Sequence, residues 1–522
     1  MSKALGFSSI LIVLVLAVLV GCSSGLSAPS DDTSSKTNSG NGKNSAQGHT
    51  LVVDKANDPS TLDPGLQYNT DSYTVYRNIF DNLIHRDPDT QKILPWVAKS
   101  WKQDSPTQWT FTIRDDISFQ NGDKLTPDDV KFSLDRILDP SFKSPQYSNF
   151  SDISKVKASG NTVIITTSKP SATLLSKLVS LSIVPKDYVK KKGDKDFNLH
   201  PMGSGPYALS EWKQGDQVVL TANKDYWNGA PEIKKVVFRN VPNAASRLAD
   251  LQSGKADIAF SINPDDVSVV KSDPNLKVFS APTERVAYLA FNALGDTPTK
   301  SVKVRQAIAY GINYKSMISS LLNGYGKPVK EVLTPVSFGY TDSIAGYSYN
   351  PSKAKALLKE AGYSNGVTVE FASSPAYDQR VIQAIQGDLS QVGIKVKIAS
   401  TDQATFLKKV QDPSHNWGSI RMGNWSCSCL DADGTIYPLF HSNTIWSSYS
   451  NKNFDTIVEQ ARTTTDEDQR KEAYQKAFQI LQDDVPGIGL YQAYAIYGGS
   501  KHLQYKPDAQ ENFFVADMKW KE

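Results

Sequence analysis

ILPWVAKSWKQDSPTQWTFTIRDDISFQNGDKLTPDDVKFSLDRI, residues 93–137, changes its apolar period once. Trp109, Phe111 and Ile113 alternate with polar neighbours, the period of a strand with one buried face. Asn121-Gly122 is a hairpin-turn pair. From Thr126 the pattern becomes helical. Thr126 stands at an N-cap, Pro127 at the first helical position, and Asp128 and Asp129 in the first turn. Each suits the unpaired N–H groups and positive pole of a helix start. A strand, a tight turn and a capped helix in one short run mark a mixed α/β chain.

The same grammar extends in both directions. HTLVVDKANDPSTLDPG (49–65) reads as a strand entering a loop, and NTVIITTS (161–168) as another strand. In DSYTVYRNIFDNLIHRD (71–87) Tyr73, Tyr76, Ile79, Phe80, Leu83 and Ile84 fall at helical spacing, which predicts one helix. NAASRLADLQSGKADIAF (243–260) and QRVIQAIQGDLSQVGIKVKIAS (379–400) are helix–Gly–strand units. NPSKAKALLKEAGY (350–363) and TDEDQRKEAYQKAFQILQDDVP (465–486) are capped helices. No repeat of fixed period is present.

The chain has 522 residues, 39% of them hydrophobic, which predicts more than one core. A net charge of +3 and the absence of long basic runs argue against a nucleic-acid partner. Six histidines and three cysteines argue against a metal-dense or disulfide-built protein.

At the amino end, Lys3 precedes an unbroken apolar run from Ile10 to Val20. That run is too short for a membrane span and suits a signal-peptide core. It ends in Leu19-Val20-Gly21-Cys22, which resembles a bacterial lipobox with Cys22 as the lipidated residue. Residues 1–21 are then a lipoprotein signal peptide, and 22–49, rich in Ser, Gly, Asn and Thr, a disordered tether. A lipid anchor and tether would hold a large body at the outer face of the membrane.

Neither G-x-S-x-G, H-E-x-x-H nor a phosphate loop occurs, so the chain is expected not to be an enzyme, and no cofactor or metal is expected. Residues 93–137 resemble the signature segment of the family 5 extracellular solute-binding proteins, the oligopeptide-, dipeptide- and nickel-type binding components of ABC importers. GSGPYALSEW (203–212) with NKDYWNGAP (223–231), RLADLQSGKADI (247–258), YLAFNALGDTPTKSVKVRQAIAYGIN (288–313) and YNPSKAKALLKEAGY (349–363) agree in order.

The resemblance implies an α/β, two-lobed periplasmic-binding-protein clamp of type II with an extra domain, closing on a hinge. Lobe I would take residues 50–84, 203–285 and 493–522, the extra domain 85–202, and lobe II 286–492. The partners implied are ABC permease and ATPase subunits and a peptide or small-molecule ligand, with the protein acting as a monomer. A sugar-like, opine-like or metal-chelate ligand, a sensor role and a surface hydrolase are the competing readings.

GNWSCSCLDADG (423–434) falls where the family carries a Trp and acids. In peptide-binding members the first of those acids holds the ligand's α-ammonium. Aligning the tryptophans puts Trp425 on that Trp, Ser428 on that acid, and Asp431 and Asp433 on later ones. Serine accepts a hydrogen bond without a carboxylate's charge. Cys427 and Cys429 share one face of an extended segment. Three states stay open for them: buried thiols, a disulfide in a small ring, or a soft-metal site with His415 or His441. The resemblance also places Arg380 at a ligand carboxylate and Arg421 at the cleft. Tyr68, Tyr73, Trp425, Ser426, Trp446 and Tyr491 are the remaining candidates for its walls.

Overall fold

In the computed structural model, the described residues are 48, 50–67 and 69–521, all in one compact unit. Cys22, the leader 1–21, the tether apart from residue 48, and Tyr68 lie outside the described residues.

One eleven-stranded mixed sheet forms the body. Thr50–Lys55 is an inner strand, parallel to Lys235–Asn240 on one side and Ile258–Ala259 on the other. Its apolar residues Leu51 and Val53 are fully buried, in a cluster with Tyr76, Phe80, Phe238 and Phe513. At the far end, Val367–Ser373 pairs in parallel with Ile394–Ser400 and with Ile420–Trp425. The helix–Gly–strand unit there forms as the spacing predicts. Gln379–Gln391 is helical, Gly393 turns with φ +90°, and Ile394 starts the strand.

Two long antiparallel strands, Leu276–Phe291 and Gly487–Ser500, join these halves. Pairing is interrupted between Pro282 and Val286, so Thr283, Glu284 and Arg285 bulge out of the ladder. On one side of the bulge the strands pack with Phe260 and Phe513, on the other with Phe371 and Ile420. A pair of continuous strands with a local interruption is the mechanical form of a hinge between two lobes.

A separate four-stranded antiparallel sheet runs in the order Ala98–Ser105, Gln108–Ile113, Thr162–Thr167, Ile153–Ser159. The capped helix Pro127–Leu138 packs across it, burying Val130 and Leu134 against Phe111 and Ile165. Full burial of such a side chain contributes about 1.5–3 kcal/mol. The cap is the one the spacing predicts: the Thr126 N–H donates to the Asp129 carboxylate at 2.9 Å.

The helix expected through 71–87 is cut short. It spans Thr70–Tyr76, and the chain then turns into the strand Ile84–Arg86. Tertiary hydrogen bonds claim the carbonyls that would continue it. Gly205 N donates to Ile79 O at 2.9 Å and Tyr207 N to Asn78 O at 2.9 Å. A Cβ on Gly203 would lie 2.2 Å from Ile79 O, so this approach requires glycine. Asp81, fully enclosed, then accepts from Trp96, Ser204, Tyr226 and Trp227 at 2.8–3.0 Å.

Candidate ligand-binding cleft

A cavity of about 390 Å³ lies against one of the two connecting strands, Gly487–Ser500. Its floor is Ala493–Tyr497. Lys55, Asn57 and Asp71 stand on one wall, and Asp378, Arg380 and Tyr491 on the other. The first wall sits at the carboxyl end of a parallel strand, where sheets of this kind place their ligands. The volume falls in the range of small-ligand sites.

The second wall is organised by Arg380 at the start of its helix. Its guanidinium donates to Asp378 at 2.8 Å and reaches across the cleft to Asp265 at 2.7 Å. Asn323 also donates to Asp265, at 2.9 Å. Arg380 and Asp265 are 44% and 59% exposed, so their bridge is worth roughly 0–1 kcal/mol. Such a bridge can hold the lobes together and still give way. Tyr491 lines the same space, and burial pushes its hydroxyl up to about 12, so it serves as a neutral donor.

The other candidates are distributed differently. Tyr73 is buried in the core of the first half, and its hydroxyl donates to Gln510 O at 3.2 Å. Arg421, 2% exposed, donates to the Tyr288 hydroxyl and to Trp446 O, both at 3.0 Å. Its guanidinium sits 5.5–6.0 Å from the rings of Tyr288, Trp417 and Trp446. Trp425 and Trp446 meet edge to face at 5.8 Å. Ser426 follows in the loop and is half-buried.

The 423–434 loop is pinned by its own backbone. Trp425 Nε1 donates to Gly434 O at 2.9 Å. Gln510 donates to Ser428 O at 2.7 Å, and Arg86 to Cys429 O at 3.0 Å. Cys427 and Cys429 are joined in a disulfide, one of the three states left open by the residues alone. A Cβ on Gly434 would lie 2.2 Å and 2.3 Å from the two sulfurs, so the loop needs glycine there. His415 and His441, the other members of the metal alternative, bond instead to Ser448 at 3.0 Å and Glu459 at 3.1 Å.

Both acids of the loop face arginines. Arg470 donates to the two Asp431 oxygens at 2.9 and 3.0 Å, and both residues are buried. Asp431 lines a second cavity, of about 690 Å³, beside Arg86, Trp101 and Phe338. Asp433 lies 3.0 Å from Arg462. Burial raises its carboxyl, and Arg462 offsets part of that shift.

Lys55 and Asp71 are among the cleft residues that sequence reasoning passed over. A lysine closing an apolar strand reads as a surface cation, yet here it is 3% exposed. Its position at the carboxyl end of the strand TLVVDK was the available signal.

Residues 92–447 match the model of the bacterial extracellular solute-binding proteins, family 5 middle. The chain belongs to that family. It is 31% identical over 486 residues to the glutathione-binding protein GsiB of Shigella boydii serotype 4, covering 90% of this chain and 94% of that protein. Among solved structures it resembles the periplasmic binding protein DppA of Helicobacter pylori in complex with the peptide STSA. The TM-score is 0.78 and the identity 26%, over 91% of this chain and 98% of that one. It also resembles AgaA of A. tumefaciens R10 in complex with agropinic acid. There the TM-score is 0.75 and the identity 27%, over 91% and 99%. The two-lobed fold and the role of substrate-binding protein of an ABC importer are those of the family, which acts outside the cytoplasm.

Proposed function

We propose that this family member captures a peptide-like solute in the 390 Å³ cleft and delivers it to an ABC permease without turning it over. The supporting observation is the cleft itself. It is a small-ligand cavity floored by the connecting strand Gly487–Ser500, with cations and carboxylates on both walls. Closure around such groups expels water and strengthens each polar contact. Glutathione, a small peptide with separated charges, is the first ligand to test, given the similarity to GsiB.

The same proposal includes lipid attachment at Cys22, a monomer, and the division into lobes 50–84 with 203–285 and 493–522, and 286–492, with 85–202 as the extra domain. Separate apolar clusters support the two lobes, while the cluster of the first also takes in Val184, Val189 and Phe197 of the extra domain. Of the named candidates, Arg380 and Tyr491 are proposed as direct ligand contacts. A non-peptide solute is the second reading. It is favoured by the pairing of Asp431 and Asp433 with arginines, which occupies the carboxylates of the 423–434 loop.

Native mass spectrometry of residues 50–522, purified from rich medium, tests the choice. A ladder of peptide masses, or glutathione, supports the first reading. One discrete non-peptide mass supports the second and refutes the first.

A further inference from the structure

The Lys55 ammonium group is held in an unusual setting. The residue is 3% exposed and lines the cleft, and its Nζ donates to the main-chain oxygen of Asp71 at 2.6 Å. Among the described residues Lys55 forms no ion pair within 4.0 Å, although the Asp71 and Asp58 carboxylates act on it from further away. A buried cation with three N–H donors, one carbonyl acceptor and the Phe238 ring 6.0 Å away is under-satisfied. Burial pushes the amine down to about 8.

Asp71 stands beside it on the same wall. Its carboxylate accepts from Asn57 Nδ2 at 3.2 Å, and burial raises it despite the field of Lys55 and Arg285. The other charges nearby are engaged. Arg285 pairs with Glu511 at 2.8 Å, and Arg380 with Asp378 and Asp265. The wall therefore offers one ammonium and one carboxylate side by side, linked through the Asp71 main chain but with no ion pair within 4.0 Å between the charged groups.

We infer that Lys55 and Asp71 form a subsite for the zwitterionic head of an amino acid, Lys55 receiving the carboxylate and Asp71 the α-ammonium. This rests on the peptide-like reading above and names its chemistry. The ligand carries both charges on one carbon, as the γ-glutamyl group of glutathione does. It also supplies an ammonium partner that the 423–434 loop, with its acids paired, does not.

The test is calorimetric titration of the full chain in detergent with three related probes, and with trialanine as a plain peptide control. The related probes are glutathione, N-acetylglutathione, and the analogue with γ-aminobutyrate in place of γ-glutamate. The last two lack the ammonium charge and the α-carboxylate respectively. Wild type should lose about tenfold or more in affinity for each derivative, the scale of a charge-assisted hydrogen bond. Lys55→Met should weaken glutathione by a similar factor and no longer distinguish it from the γ-aminobutyrate analogue. Asp71→Asn should no longer distinguish it from N-acetylglutathione. Thermal melting checks that both variants fold, and the three affinities of wild type test the inference even if one variant does not. Equal wild-type affinities for all three probes, or discrimination kept intact in folded variants, overturn the subsite and leave the peptide reading standing. A wild type that binds neither glutathione nor trialanine overturns both.

Discussion

Asp431→Ala separates a structural role from a ligand role at the 423–434 loop. Asp431 is 2% exposed, and Arg470 donates to both of its oxygens at 2.9 and 3.0 Å. Arg470 also lies 4.5 Å from the Phe338 ring and donates to Ala461 O. Removing the carboxylate leaves a guanidinium in a dry setting with its counter-charge gone. Breaking a buried pair in this way costs about 3–5 kcal/mol. The Asp433 N–H, which donates to Asp431 Oδ1 at 3.0 Å, would be orphaned as well. The double variant Asp431→Ala/Arg470→Met removes both charges and should recover most of the loss, because the cost lies in the uncompensated ion. Urea unfolding followed by tryptophan fluorescence reads the stability, and calorimetry reads ligand affinity. A single variant that loses under about 1 kcal/mol of stability and yet abolishes binding would refute this reasoning and place the Asp431 carboxylate at the ligand.

Gly434→Ala should destabilise by about 1–3 kcal/mol, since its methyl would overlap both sulfurs of the Cys427–Cys429 bridge; melting curves with and without a reductant check this. Cys427→Ser/Cys429→Ser should cost only about 1–2 kcal/mol, because so short a loop confines few unfolded conformations. Arg380→Ala should change the stability of the ligand-free protein by no more than about 1 kcal/mol, as its bridges are half-exposed, while weakening ligand retention in native mass spectrometry. Glu331 is buried with Oε2 unpartnered, and burial raises it to about 8. The folded chain thus keeps a proton that the unfolded chain releases near its ordinary value, so this contribution is complete at low pH and is lost as pH rises toward 8. Glu331→Gln should flatten that fall, and urea unfolding of both proteins at pH 5 and pH 8 measures it.

The elements that formed as their sequences predict are those written in neighbouring residues. Thr126 and Asp129 cap their helix because a side chain three positions on reaches the first free N–H. Gly122, Gly362 and Gly393 turn the chain at positive φ, which costs other residues a Cβ clash. Family membership was legible because stretches from residue 93 to 363 resemble the family's motifs in the same order.

What the sequence alone left undecided depends on residues that meet only when the chain crosses itself. The helix at 71–87 had the right period, but the N–H groups of Gly205 and Tyr207 took its carbonyls. Asp431 stands in sequence with no sign of its partner, Arg470, which lies past two helices further along the chain. Nothing beside Lys55 in the sequence marks it as a buried cleft residue; the packing of the cleft walls does. Local backbone sterics act over three or four residues and can be read in order. The partner of a buried charge is set by packing, where the cost of leaving an ion unpaired in a dry interior outweighs any preference written in its neighbours.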